Sequence, residues 1–270
     1  MYNNKTPPMT SYSAPKPDSP NNQTHNDTFT DDPEGPDKTP CPLQSKAKGK
    51  RPLSASPAPL PSKRQASSLH EPLSYKDVPQ ALPMPSSHPP TQLSLTHHTG
   101  ALFTAPPQTL LLHACNTQGT WGAGIALAFK QAYPKAYAIY HAYCTVEHSF
   151  KAGNSVPVGT ALLIPPVDKG TPHWIGCLFT SRRYGKGRDG VESIVRSTGT
   201  AVEGVLELVR AVNEGVVGDR DKEGIAGVRM CRINSGKFGV EWKRTEEVLR
   251  GIVVREGWVG GVEVWDQEGV

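Results

Sequence analysis

The chain has 270 residues and a formal net charge of +4, a length for one or two domains and a charge too small to argue for a nucleic-acid partner. Composition divides it unevenly: 19 of the 26 prolines lie before residue 92, where only Gly35 and Gly49 of the 26 glycines and none of the tryptophans occur. A stretch rich in Pro, Ser, Asn and Thr with few large apolar residues cannot bury enough surface to offset its chain entropy. Residues 1–91 therefore read as a disordered tail and 92–270 as one folded domain of about 180 residues, enough for a proper core.

The opening "MYNNKTPPMT" has no apolar h-region, and no run approaches the ~18 consecutive apolar residues of a membrane span. Among Cys41, Cys115, Cys144, Cys177 and Cys231 there is no C-x-x-C pair. Three of the five lie in apolar runs, where cysteine behaves as a small hydrophobe. The pattern argues for an intracellular, reducing setting, cytoplasmic or nuclear, and against a disulfide framework or structural zinc. In the tail, Lys46, Lys48, Lys50, Arg51, Lys63 and Arg64 form a spaced basic pattern. It reads equally as a nuclear import signal, a loose polyanion contact or solvated charge.

Beyond the tail the elements follow in order. "TQLSLT" alternates as an edge strand does. "TLLLHACN" is a continuous apolar run suited to a strand buried on both faces. "GIALAFKQAYPKAYAIYHAYC" has helical spacing, with Pro134 ending one helix and starting another. "TALLIPP" and "HWIGCLFTSRR" are two further strands joined by the turn "VDKGTP". "VESIVRSTGTAVEGVLELVRAVNEG" repeats Val202, Val205, Leu206, Val209 and Val212 at helical spacing and stops at Gly215. "GVRMCRINSG" is a strand running into a glycine turn, "VEWKRTEEVLRGIVVREG" a helix, and "GGVEVWDQ" the last strand. Alternating strands and helices favour a layered α/β fold with a largely parallel sheet, whose ligands sit outside the carboxyl ends of the strands.

Two turns at such ends carry the chemistry. In "HACNTQGTWGAG", Gly122 and Gly124 remove side chains where backbone must approach a ligand, and a helix starting there aims its amides and positive dipole end into the same space. "INSGKFG", Ile233 to Gly239, is a second such turn. Together they would cradle a diphosphate, although either alone reads equally as a packing turn. Neither is a G-x-G-x-x-G fingerprint with a downstream acid, so a nicotinamide dehydrogenase is disfavoured.

His113 and Asn116 end the strand before the first turn. A strand histidine is more often packed than catalytic, but beside an anion cradle a neutral imidazole would take a proton from attacking water. Asn116 would hold a ribose hydroxyl. His97 and His98, adjacent on a strand, face opposite ways, and zinc-type spacing is missing among His113, His141, His148 and His173. Arg182, Arg183, Lys186 and Arg188, closed by Asp189, read as a solvated loop that a phosphate would draw in. No G-x-S-x-G elbow or C-x5-R loop supports covalent catalysis.

"LLLHACNTQGTWGAGIALAFKQAYPKAY", "CLFTSRRYGKGRD" and "INSGKFGVEWKRTEEVL", in this order, resemble the macrodomain family, and within it the fungal ADP-ribose 1″-phosphate phosphatases. The resemblance spans about residue 93 to the end. It implies a three-layer α/β/α fold with a mixed central sheet, binding ADP-ribose across the strand ends. Trp121, Gly122, Ala123, Gly124, Ile125 and Ala126 would wrap the diphosphate and the ribose bearing the 1″ group. Ile233, Asn234, Ser235, Gly236, Lys237, Phe238 and Gly239 would form the opposing phosphate loop. Ala114, Cys115 and Asn116 would line the distal ribose, with His113 as general base and Asp189 or Asn234 as further candidates for a catalytic role. Gly100, Ala101 and Leu102 match the family's adenine corner, with Ala101 replacing its usual acid or amide. A related branch hydrolyses ADP-ribosyl esters through a lysine after the "LFT" strand and an aspartate in the second loop; this chain has Ser181 and Phe238 or Gly239 there.

The activity implied is metal-independent hydrolysis of ADP-ribose 1″-phosphate, a by-product of tRNA splicing, to ADP-ribose and phosphate. The alternatives are a non-catalytic ADP-ribose-binding module and an ADP-ribosyl-ester hydrolase. The expected partner is a small-molecule substrate, with no cofactor, metal, membrane or nucleic acid, and the domain is expected to be monomeric.

Overall fold

A computed structural model describes residues 71–78, 91–149, 151–217 and 224–266. Cys41, the basic pattern of the tail and residues 1–70 and 79–90 of the expected disordered segment lie outside them. The elements are β1 (Leu73–Ser74), β2 (Thr91–Gln92), β3 (Ser94–Thr99), β4 (Thr109–Asn116), α1 (Gly124–Ala132), α2 (Pro134–Ala142), β5 (Ala161–Ile164), β6 (Trp174–Ser181), α3 (Val191–Asn213), β7 (Gly227–Met230), α4 (Trp242–Arg250), β8 (Val253–Val254) and β9 (Gly261–Asp266).

Seven strands form one mixed sheet in the order β1-β5-β6-β4-β7-β9-β3. The run from β6 to β3 is parallel, whereas β5 lies antiparallel to β6 and β1 antiparallel to β5. β4 sits between β6 and β7, which explains its unbroken apolar run: Leu110, Leu111 and Leu112 are fully buried, alternating between the two faces. Leu111 and Cys115 face α1 and α2 with Phe129, Tyr133, Tyr140 and Phe179. Leu110 and Leu112 face α3 and α4 with Val202, Val205, Leu206, Val209 and Leu249. The layers are thus helix, sheet, helix. Each of these large apolar side chains contributes roughly 1.5–3 kcal/mol by leaving water. Gly176 in β6 makes room for this packing, since a Cβ there would lie 2.2 Å from Leu112 Cδ2.

Two expectations change. Residues 71–78, inside the stretch read as tail, are folded: Leu73 and Ser74 are buried and pair with Leu163 and Leu162. The turn after them closes because Asp77 Oδ2 accepts from the Ser74 N–H at 2.9 Å. Two paired residues amid prolines are too few to show a period. The helix expected over 240–257 stops at Arg250. After Gly251 the β-branched Ile252, Val253 and Val254 favour extended backbone, and β8 pairs antiparallel with β2.

One buried charge joins α3 to the β8–β9 turn. Glu207 Oε2 accepts from Trp258 Nε1 at 2.6 Å, and its Oε1 pairs with Arg210. Burial alone would raise this carboxyl, but the Arg210 guanidinium and the Trp258 N–H hold it below the usual carboxylate range. A lowered folded value means stability that is present at neutral pH and lost as pH falls through about 4.3 and then through the lowered value. Melting temperature measured against pH should therefore fall on the acid side, and Glu207→Gln should flatten that fall while lowering the neutral plateau. An unchanged acid limb in the variant would remove Glu207 from the account.

Candidate functional site

The carboxyl ends of β4, β6 and β7 open onto a cavity of about 490 Å³. That is within the range of small-molecule sites, and its position is the one expected of parallel strand ends. Its wall is made by Ala114, Cys115 and Asn116 at the end of β4, by Thr120 to Ala126, by Tyr184, and by Cys231 to Asn234 and Gly236 to Phe238.

The first loop is braced from below. Asn116 Oδ1 accepts from the Gln118 N–H at 2.9 Å, and Asn116 Nδ2 donates to Thr120 O at 2.7 Å. Tyr140 Oη donates to Asn116 O at 2.7 Å. Gly119 has φ +73 and would place a Cβ 3.1 Å from Cys144 Cβ, so the turn requires glycine there. At the far end of the loop, Ala123 is the residue before α1 and offers no side-chain cap. The first amides of α1 therefore remain a donor set at the cavity wall, with the positive end of the helix dipole behind them.

The second loop hangs on Asn234. It holds φ +66, a conformation asparagine tolerates. Thr180 Oγ1 donates to Asn234 Oδ1 at 2.9 Å, and Asn234 Nδ2 donates to Thr198 Oγ1 at 2.8 Å. Thr198 Oγ1 in turn donates to Ile194 O at 2.7 Å. β6, the loop and α3 are thereby joined by one chain of hydrogen bonds.

Most residues expected at the site are thus brought together, but the roles expected of four change. His113 is fully buried and off the cavity wall. Its ring stacks on Phe129 with centroids 4.2 Å apart and meets Trp121 edge-on at 4.6 Å. Depth along β4 explains this: His113 lies on the α1 side one residue short of Ala114, from which residues of both faces reach the cavity. Asp189 is also off the wall, held by an ion pair with Arg182 at 3.0 Å and by its own N–H donating to Ser181 Oγ. Asn116 and Asn234 line the wall, but their side chains are already used as braces. Gly100, Ala101, Leu102, Ser235 and Gly239 also lie off the wall. Sequence reasoning missed four wall residues, Thr120, Tyr184, Cys231 and Arg232; Tyr184 is half-exposed in the loop after β6. The surrounding arginines and lysine make this loop read as charged, and its signal is a lone aromatic in a polar segment.

Under the floor lies a second group. Cys115 Sγ is 3.6 Å from both ring nitrogens of His113. Burial alone would push the Cys115 thiol up, but the Cys177 thiol, the His113 imidazole and the Trp121 N–H beside it bring it down to about 6. Trp121 Nε1 is buried without a hydrogen bond of normal geometry. Burial pushes the Cys177 thiol well up, and the Cys115 thiol beside it adds to the rise.

No helix among the described residues is long and apolar enough to cross a membrane. The family model described as Macro domain matches residues 112–249. A protein of Chaetomium globosum named ADP-ribose 1″-phosphate phosphatase is 45% identical over 178 residues, covering 64% of this chain and 91% of that protein. A protein of the same name from Aspergillus oryzae is 40% identical over 185 residues, covering 59% and 89% respectively. Among solved structures, the macrodomain of Thermus aquaticus DarG matches at 24% identity and a TM-score of 0.43, covering 64% of this chain and 97% of that one. With the family model spanning just over half of the chain, both glycine turns at one cavity and the mixed sheet around them, this chain belongs to the macrodomain family.

Proposed function

We propose that the chain is an ADP-ribose 1″-phosphate phosphatase, hydrolysing the monoester to ADP-ribose and inorganic phosphate without a metal. The observation that carries this reading is the pairing of two amide-rich loops on one cavity, in a chain 45% identical to a protein of that name. The α1 N-terminus and the Gly236 to Phe238 turn take the diphosphate through backbone N–H groups. Trp121 and Tyr184 give the sugar and base apolar surface. Lys237 places a positive charge on the wall, where the 1″-phosphate oxygens gather charge in the transition state.

The wall carries no histidine or carboxylate to act as a base. Phosphoryl transfer through a loose transition state needs little proton abstraction from the attacking water. Positioning and electrostatic stabilisation by Lys237 and the loop amides supply most of the catalysis. His113 then supports the floor as a positioning residue, stacked on Phe129 and against Trp121.

That same shortage of a base favours a second reading, a module that binds ADP-ribose without turnover. Phosphate release from ADP-ribose 1″-phosphate in EDTA, measured beside calorimetric titration with ADP-ribose, separates the two. Release with binding is the expected result. Binding without release would make the protein a reader of ADP-ribose, and neither would remove the cavity from both readings.

A further inference from the structure

Three soft ligand groups meet on one face of the sheet beneath the cavity floor. His113 and Cys115 are two apart on β4 and so point the same way. Cys177 of β6 is the register partner of His113. One ligand atom from each lies within 4.8 Å of the other two, and all three residues are buried. From zinc's bond lengths, a tetrahedral ion holds a nitrogen and a sulfur about 3.6 Å apart and two sulfurs about 3.8 Å apart. Cys115 Sγ lies 3.6 Å from both His113 ring nitrogens and so over the face of the ring; a turn of the imidazole that aims one nitrogen between the two sulfurs brings the set to these distances.

We propose that His113, Cys115 and Cys177 form a three-ligand site for one thiophilic cation, Zn²⁺. Charge supports this: two thiolates and a neutral imidazole leave the bound ion with no net charge, so its burial is compensated. A Cys115–Cys177 disulfide fits less well. Cys115 is opposite Phe179, so the two cysteines are diagonal neighbours. Such neighbours lie about 7–8 Å apart, beyond the ~7 Å Cα separation that a disulfide bridges without backbone movement. Of the three ligands only Cys115 reaches the cavity wall, which puts the fourth coordination position on that side. The site rests on its own geometry and stands whether or not the chain is a phosphatase.

Co²⁺ titration of the full chain, reduced and stripped of metal, tests it. One equivalent should give thiolate-to-cobalt charge-transfer absorption with the intense visible bands of a tetrahedral site, and Zn²⁺ should abolish both. Cys177→Ala removes one buried sulfur away from the wall and should weaken Co²⁺ binding about tenfold or more. Cys115→Ala should do the same and serves if the first variant does not fold. Cys144→Ala should leave binding unchanged. Absence of the charge-transfer band in the unaltered chain would overturn the proposal. So would an affinity for Co²⁺ that is unchanged in Cys177→Ala or lost in Cys144→Ala.

Discussion

Gly122→Leu is expected to lower turnover of ADP-ribose 1″-phosphate by on the order of 100-fold or more, about 2.7 kcal/mol of transition-state binding, while the protein stays folded. Gly122 lines the cavity, and its backbone is not in the left-handed region. A Cβ there would meet only Thr120 Cγ2, at 3.4 Å, an ordinary contact. The leucine therefore enters without backbone strain and occupies the space proposed for the diphosphate and its ribose. Misplacing the reacting phosphate by about 1 Å already costs about 100-fold. Gly124 would be a poorer choice, because its φ of +57 adds strain to any side chain and mixes folding with binding. The check is steady-state phosphate release together with a melting curve. Melting within a few degrees and turnover near zero is the expected pair. Turnover within about threefold of the unaltered chain would mean that the ligand does not pass over this loop.

The order of elements was legible because the apolar runs are long and their periods differ: "TLLLHACN" is a buried strand, and the Val202 to Val212 spacing is a helix. Both glycine turns were legible too, since glycine and the strand-to-helix change coincide there. Other features were written in pairings between distant residues. Leu73 is part of the sheet only through Leu163, and Val253 is a strand only through Gln92. The site divides the same way. Residue types at "HACN" marked the right corner, but which of His113, Ala114, Cys115 and Asn116 reaches the cavity depends on how far each lies from the end of the strand. Nor does sequence spacing bring Cys177 to His113; the β4–β6 register does. Motif reasoning about zinc looks along the chain, and this cluster is assembled across it.

Asn234 shows how closely the fold and the proposed chemistry share residues. Asn234→Ala should remove about 3 kcal/mol of stability. Two buried hydrogen bonds, to Thr180 and Thr198, are each worth about 1 kcal/mol. Alanine in the left-handed region adds about 1 kcal/mol, since it lacks the local hydrogen bonding that lets asparagine rest there. For a domain of this size that is a fall in melting temperature of about 10 °C. Asn234→Gly isolates the two causes: glycine is at ease at φ +66, so it should recover about 1 kcal/mol of the loss and no more. Turnover should fall in both variants even at temperatures where they are fully folded. Without the bonds from Thr180 and Thr198, the Gly236 to Phe238 amides and Lys237 are no longer held against the α1 N-terminus, and a charge-stabilising wall works only when its donors are fixed before the reaction. If both variants melt as the unaltered chain does, the loop is carried by its backbone bonds alone. If they melt early but turn over normally when folded, the second loop is scaffolding, and the phosphate is handled by the first loop and α1.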